Sequence, residues 1–209
     1  MEPYLQESSE SESLDSPELT NDIVTVSRLQ VVLRSRAKRL QTQFSAIALR
    51  SNTATPEGLF ELLQETANVL LENEDFWTHV LAGSHTVDSR EEAEALFNKF
   101  SMQERAKFSA ETLSNVNGVV SQQPTPPAPT ASDNPAYIVV TLLLGTADDQ
   151  PLFNEIYSGS LLRDVLKDIL LVSSRYLLAF ELLWTPQDPL DSLTEADLKA
   201  DYSDLVPIA

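Results

Sequence analysis

Two histidines, His79 and His85, are the only imidazoles in the chain. In an extended segment their six-residue separation points both side chains to one face, with Asp75 and Asp88 near enough to complete a metal site. Zinc and iron motifs use tighter spacings, such as two histidines four apart on a helix, so surface histidines are the competing explanation. Ala82-Gly83-Ser84-His85 lacks the glycine spacing of a nucleophile elbow, which argues against a serine hydrolase. No Walker loop or dinucleotide fingerprint occurs, and five glycines leave little material for a phosphate cradle. Glu181 stands inside the apolar run LLAFELLWTPQ. A desolvated, unpartnered acid there would have a raised pKa and be a candidate for proton transfer; a paired structural glutamate, or a solvent-facing one on an edge strand, is the commoner outcome. An enzyme or metal protein built on His79, His85 and Glu181 is therefore the alternative reading, and no cofactor is expected.

The charge distribution carries a second kind of candidate. Arg28, Arg34, Arg36, Lys38 and Arg39 fall within a dozen positions of a chain whose formal charge is −18. Such a stripe suits an acidic protein partner, or pairs internally with the acidic amino terminus or with Glu57, Glu61 and Glu65. Trp184, Thr185, Pro186 and Gln187, at the end of an apolar run, form a candidate peptide-binding shelf, although Trp77 and Trp184 also suit a core. Arg105 and Lys107 with Glu104 and Glu111 read as a salt-bridged helix surface.

The elements that must position these residues follow from periodicity. Ile23 to Leu33 is rich in β-branched residues and predicts a strand, with a helix from about Ser35. Thr55 before Pro56 is a helix start, presenting Leu59, Leu62, Leu63, Thr66 and Leu70 on one face. Asp75 to Val87 predicts extended chain with a bend near Gly83. Ser89 with Glu92 and Ser101 with Glu104 are capping-box pairs that predict two successive helices. Tyr137 to Thr146 is a continuous apolar run expected as a central strand. A helix capped by Ser160 runs to about Val172, and Tyr176 to Trp184 gives another strand. Thr194 with Asp197 caps a last helix, stapled by Leu193 and Leu198. The strand–helix–strand of the second half is long enough to place two strands parallel. The expected fold class is α+β, a mixed sheet of about four strands covered by helices.

Composition bounds the rest. With 32 acidic against 14 basic residues, attraction to nucleic acid or an anionic membrane surface is opposed. The absence of cysteine excludes disulfides, thiolate metal sites and direct thiol regulation. No apolar run reaches the roughly 20 residues of a membrane-spanning helix, so no integral membrane segment is expected. The acidic, serine-rich opening MEPYLQESSESESLDSPELT does not resemble an export signal. Residues 1–20 are expected to be a disordered acidic tail and residues 21–209 a single domain, with a Pro-rich linker at 121–135 between its halves.

Four stretches carry a resemblance. They are TPEGLFELLQET at Thr55 to Thr66, EAEALFNKFSMQERAKFSAETLSNVNG at Glu92 to Gly118, YIVVTLLL at Tyr137 to Leu144, and FELLWTPQDPLDSLTEADL at Phe180 to Leu198. Together they resemble a family of cyanobacterial and chloroplast proteins, domain of unknown function fifteen-seventeen, related to the plant fluctuating-light acclimation protein. The resemblance implies a photosynthetic context and not a reaction. Family members look like membrane-attached thylakoid or envelope proteins with a glycine-rich segment before this domain. Neither feature is seen here, which makes a soluble, cytoplasmic cyanobacterial member the expectation. The functional expectation is a noncatalytic protein-interaction or regulatory module, its partner unidentified, using Arg34, Arg36, Lys38 and Arg39 and then Trp184 to Gln187. A self-associating structural protein is the third reading.

Overall fold

The computed structural model describes residues 16–35, 39–108, 113–116, 119–122 and 136–208. Residues 1–15, Arg36, Lys38, Glu111 and most of the Pro-rich stretch, 123–135, lie outside the described residues. In chain order the elements are α1 (Pro17–Thr20), β1 (Val24–Arg34), α2 (Leu40–Arg50), α3 (Pro56–Glu72), β2 (Trp77–Val87), α4 (Arg90–Arg105), β3 (Leu113–Val116), β4 (Val119–Gln122), β5 (Tyr137–Thr146), α5 (Gly159–Leu171), β6 (Leu177–Thr185), α6 (Glu195–Asp201) and β7 (Val206–Pro207).

The fold is α+β, and its sheet has five strands in the order β6-β5-β1-β2-β7, every pairing antiparallel. The expected parallel pair is not formed. The reason is the path between β5 and β6. Residues 147–158 leave the end of β5 bonded to β1 and β2, where Thr25 Oγ1 donates to Asp148 O at 2.7 Å and Phe153 N donates to Ser84 Oγ at 3.3 Å. They reach the opposite end, where Arg163 on α5 meets Glu74 at 2.5 Å. That stretch makes the return trip, so α5 climbs back and delivers β6 antiparallel to β5. A separate hairpin pairs β3 with β4, and β4 takes Ser121 and Gln122 out of the expected linker.

Helices cover both faces, which is why β5 is apolar along its whole length: residues 138–146 are buried on each side. On one face α2, α3 and α5 pack Phe44, Leu63, Leu70 and Leu166 over Leu29, Val31, Val140 and Leu142. On the other, α4 brings Ala93 and Phe100 to Val26, Leu143 and Leu183, and α6 brings Leu198 and Tyr202 to Val32 and Val139. This two-sided burial takes the place of the parallel arrangement that long apolar strands usually indicate.

Local signals set most helix starts. Thr55 accepts from Gly58 N at 3.1 Å, Ser89 from Glu92 N at 3.2 Å, and Thr194 and Asp197 form a reciprocal capping box. Other boundaries depart from expectation. The cap of α5 is Ser158 and not Ser160. Helix α2 begins at Leu40, because Ser35 is held in a turn by donating its N–H to Ala136 O at 2.8 Å. Helix α4 runs unbroken through Ser101, since Glu104 reaches across to the sheet and not back to the Ser101 backbone. Strand β2 passes Gly83 in regular register opposite Arg28, and its irregularity falls beside Val32 and Leu33. Pro17–Thr20, placed in the tail by composition, forms a helical turn.

Gly58 is fixed by close approach. A Cβ there would stand 2.1 Å from Asn52 O, a backbone atom. Gly58→Ala is therefore expected to cost about 1–3 kcal/mol through overpacking. Urea unfolding checks it, and an unchanged midpoint would refute the assignment.

Candidate functional site

Along β1 the side chains of Val26, Arg28, Gln30 and Val32 share one face, because alternate residues point the same way. Two polar groups in an apolar row require a partner. The partner is Glu104, in the last turn of α4 and fully buried. Gln30 Nε2 donates to Glu104 Oε2 at 2.7 Å and to Thr141 Oγ1 of β5 at 3.0 Å. Lys107 Nζ donates to both carboxylate oxygens at 3.1 Å, and Arg28 Nη1 lies 3.4 Å from Oε1. Both cations also sit over rings, Arg28 over Phe100 at 4.7 Å and Lys107 over Tyr202 at 4.2 Å. Next to Glu104, Arg105 turns to β6, where Nη2 and Nε donate to Glu181 Oε1 at 2.5 and 3.2 Å.

The segment Glu104-Arg105-Ala106-Lys107 thus ties α4 to β1, β5, β6 and α6. Glu104 does not belong to a solvated helix surface, as its spacing suggested. A cavity of about 50 Å³ adjoins it, lined by Arg28, Gln30, Lys107, Tyr202 and Asp204. The Tyr202 hydroxyl, buried and without a partner among the described residues, has a pKa far above the ordinary phenol range, first through burial and then through Glu104 and Asp201. A space of this size and polarity suits a bridging water. Chemically the cluster holds elements in place; the Glu104 carboxylate is closed to a substrate.

The other candidates are scattered. His79 and His85 do share a face of β2, opposite Val32 and Val26 respectively, but six residues of strand hold them roughly 20 Å apart. His79 Nδ1 lies 3.0 Å from Thr78 Oγ1, and burial lowers its pKa against the opposing pull of Glu195. His85 is exposed beside Phe100. Among the described residues, no three His, Cys, Asp or Glu side chains gather to hold a metal ion. Glu181 is the paired glutamate of its commoner reading, held by Arg105.

Trp184, Thr185, Pro186 and Gln187 face inward. Trp184 is 2% exposed and packs 5.8 Å from Phe44, and the Thr185-Pro186 peptide is cis. Gln41 of α2 donates to Pro186 O and Asp188 O, each at 2.8 Å. The expected peptide shelf is a corner already covered by α2, which corrects its assignment as a partner surface. Arg34 and Arg39, in contrast, are exposed at the two ends of the β1–α2 connection.

Carboxylates gather at the opposite end of the sheet. Glu18 accepts from the Tyr176 hydroxyl at 2.9 Å, and Asn21 Nδ2 donates to both oxygens of Asp149 at 2.9 and 3.0 Å. Asp148 feels the charge of both Glu18 and Asp149. Its pKa is raised, first by burial and then by Glu18 and Asp149, against the opposing effect of the nearby Thr146 hydroxyl.

A family model described as "Protein of unknown function (DUF1517)" matches residues 23–208, which carry every element from β1 to β7. The chain belongs to this family. It is 35% identical over 184 residues to FLUCTUATING-LIGHT-ACCLIMATION protein 1, chloroplastic, of Arabidopsis thaliana, covering 88% of this chain and 46% of the relative. It is 34% identical over 190 residues to Protein FLAP1 homolog A of Synechocystis sp., covering 87% of this chain and 56% of the relative. The chain thus spans about half the length of these curated relatives. No solved structure matches it. Among the described residues no helix is long and apolar enough to cross a membrane.

Sequence reasoning marked the Glu-Arg-x-Lys segment as distinctive but missed Gln30 and Tyr202. The signal for Gln30 was present, as a polar residue on the same strand face as Val26 and Val32. Tyr202 gave none, since its meeting with Lys107 depends on tertiary packing.

Removing Glu104 takes one of the two acceptors of Gln30 and strands two half-buried cations, so Glu104→Ala is expected to cost about 3 kcal/mol in denaturant unfolding. Glu104→Gln, which keeps an acceptor, should cost clearly less; equal losses would contradict the assignment. Asp148 bears on pH. Because its folded pKa is raised, its favourable contribution is present when protonated and lost as pH rises through that pKa. Asp148→Asn should therefore raise the melting temperature at pH 7, with the gain shrinking on acidification toward pH 4 (about the ordinary Asp value). A gain that grows on acidification would contradict it.

Proposed function

We propose that this chain is a noncatalytic protein-interaction module acting in acclimation of photosynthesis to changing light, in the cytoplasm of a cyanobacterium. The observation that carries the proposal is the match, over nearly nine-tenths of the chain, to two relatives named for fluctuating-light acclimation or its homologue. Two structural features support the interaction role. The buried Glu104 carboxylate is occupied by Gln30 and Lys107, and Oε1 of the half-buried Glu181 by Arg105, in ties between elements. The exposed residues Arg34 and Arg39 bracket the connection that also contains Arg36 and Lys38, a basic site on an otherwise acidic chain. An acidic protein surface is the matching partner, and electrostatic steering favours its rapid capture.

The test is replacement of Arg34, Arg36, Lys38 and Arg39 together by Glu, followed by capture from a native photosynthetic lysate at low and moderate salt. The expected result is at least a tenfold loss of the salt-sensitive partner, with an unchanged melting temperature. Failure of the same variant to restore growth under fluctuating light in a strain lacking the gene would connect capture to acclimation. Undiminished capture and full restoration would reject the role of this surface.

A further inference from the structure

The face of the sheet under α4 is filled at one end and open at the other. Going along β5, Leu143 is followed on the same face by Gly145, and along β6 Glu181 is followed by Ala179, its cross-strand neighbour. Where Leu143, Leu183 and Phe100 meet, the layers close. Where Gly145 and Ala179 lie beneath Ala93 and Phe97, the small side chains leave a groove of about 330 Å³, walled by Val24, Val26 and Leu178. The lining is predominantly apolar, and Leu178, on the edge strand, is 38% exposed.

The charge around this groove is one-sided. Glu94 lines it, and Glu91 stands one turn earlier on the exposed side of α4. Arg90, also in the lining, is ion-paired with Asp22 at 3.6 Å, and Asp22 is itself 80% exposed. On the β6 side, Tyr176 brings Glu18 to within two residues of Leu178. Against the four carboxylates Glu94, Glu91, Asp22 and Glu18, the nearby cations among the described residues are Arg90 and Arg175. An anionic lipid surface is repelled by such a rim, and an apolar groove inside it selects a ligand that is apolar on one side and cationic on the other.

We infer that the groove between α4 and the Gly145–Ala179 end of the sheet docks a basic amphipathic helix of a partner protein, its apolar side chains entering over Gly145 and Ala179 and its Lys and Arg side chains meeting Glu91, Glu94 and Glu18. A helix laid into a groove presents anchors at i, i+3, i+4 and i+7, and the groove has room for two or three of them. This surface lies at the opposite end of the sheet from Arg34 and Arg39, so it goes beyond the basic site proposed above and is tested apart from it.

The probe is a labelled synthetic peptide with Leu and Phe on one helical face and Lys and Arg on the other, read by fluorescence anisotropy on the full chain. A control peptide keeps the apolar face and carries Glu in place of the cations. Two variants separate the parts of the site. Ala179→Leu fills the groove, and Glu91→Lys with Glu94→Lys reverses the rim on an exposed helix face. The expected result is saturable binding of the basic peptide, none of the acidic one, and at least a tenfold weakening in each variant with unchanged melting temperature. The quadruple Glu variant of Arg34, Arg36, Lys38 and Arg39 should bind the basic peptide no more weakly than the wild type. Absence of peptide binding, equal binding of both peptides, or unaltered affinity in either variant would overturn the proposal. So would binding of uncharged phosphatidylcholine vesicles that Ala179→Leu abolishes, which would assign the groove to lipid. A concentration-dependent mass lost in Ala179→Leu would assign it to a second copy and equally overturn the proposal.

Discussion

A carboxylate removed from water must be surrounded by donors, and the position of Glu104 is the constraint on which one whole layer of this fold depends. Its oxygens collect a strand amide from Gln30, an ammonium from Lys107 and the edge of the Arg28 guanidinium. Those donors come from β1 and from the turn after α4, and Thr141 of β5 shares the Gln30 amide. A shift of α4 by one residue would turn Glu104 away and leave Gln30 only its Thr141 acceptor. Hydrophobic burial alone is less selective: Ala93, Leu96, Phe97 and Phe100 could slide on the sheet with modest loss. The polar tie therefore sets the register of α4, and the apolar contacts supply the adhesion.

That division explains the asymmetry of the molecule. The α2–α3–α5 face is packed with large apolar side chains and has one extensive core. The α4 face is pinned at one end by charge and covered more thinly at the other, where Gly145 and Ala179 replace larger residues. Lys107, by stacking on Tyr202, extends the pinned end to α6, so the carboxy-terminal elements are joined to the same cluster. The antiparallel sheet follows from the long return of residues 147–158, which is itself anchored at Thr25 and Ser84.

Much of this was legible from local signals. Thr55-Pro56, Ser89 and the Thr194–Asp197 pair mark helix starts because a cap is a contact between near neighbours in sequence. The run Tyr137 to Thr146 is legible as a buried strand for the same reason, since its composition alone excludes an exposed face. What failed was non-local. Ser101 and Glu104 satisfy the spacing of a capping box, yet the carboxylate is used by Gln30, 74 residues away along the chain. Trp184 to Gln187 ends a strand in a way that suits a surface shelf, but Gln41 and Phe44 of α2 occupy that corner. The shared face of His79 and His85 was correctly anticipated from alternation, while the distance between them along the strand denies a joint site. Spacing gives direction; which element arrives to meet it is decided by the whole fold.

Family membership and structure meet at the same segment, since Glu104, Arg105 and Lys107 lie in a stretch that carried the resemblance and that now has a physical task. The central claim is that Glu104 and Gln30 act as one unit holding α4 in register. The most direct measurement is a double-mutant cycle in urea unfolding, using Glu104→Ala, Gln30→Leu and the two together, since each single change removes the bond between them. The account predicts a coupling of about 1–3 kcal/mol, the range found for residues within one buried network. Additive losses, within about 0.5 kcal/mol, would show that the two side chains act independently and would contradict it.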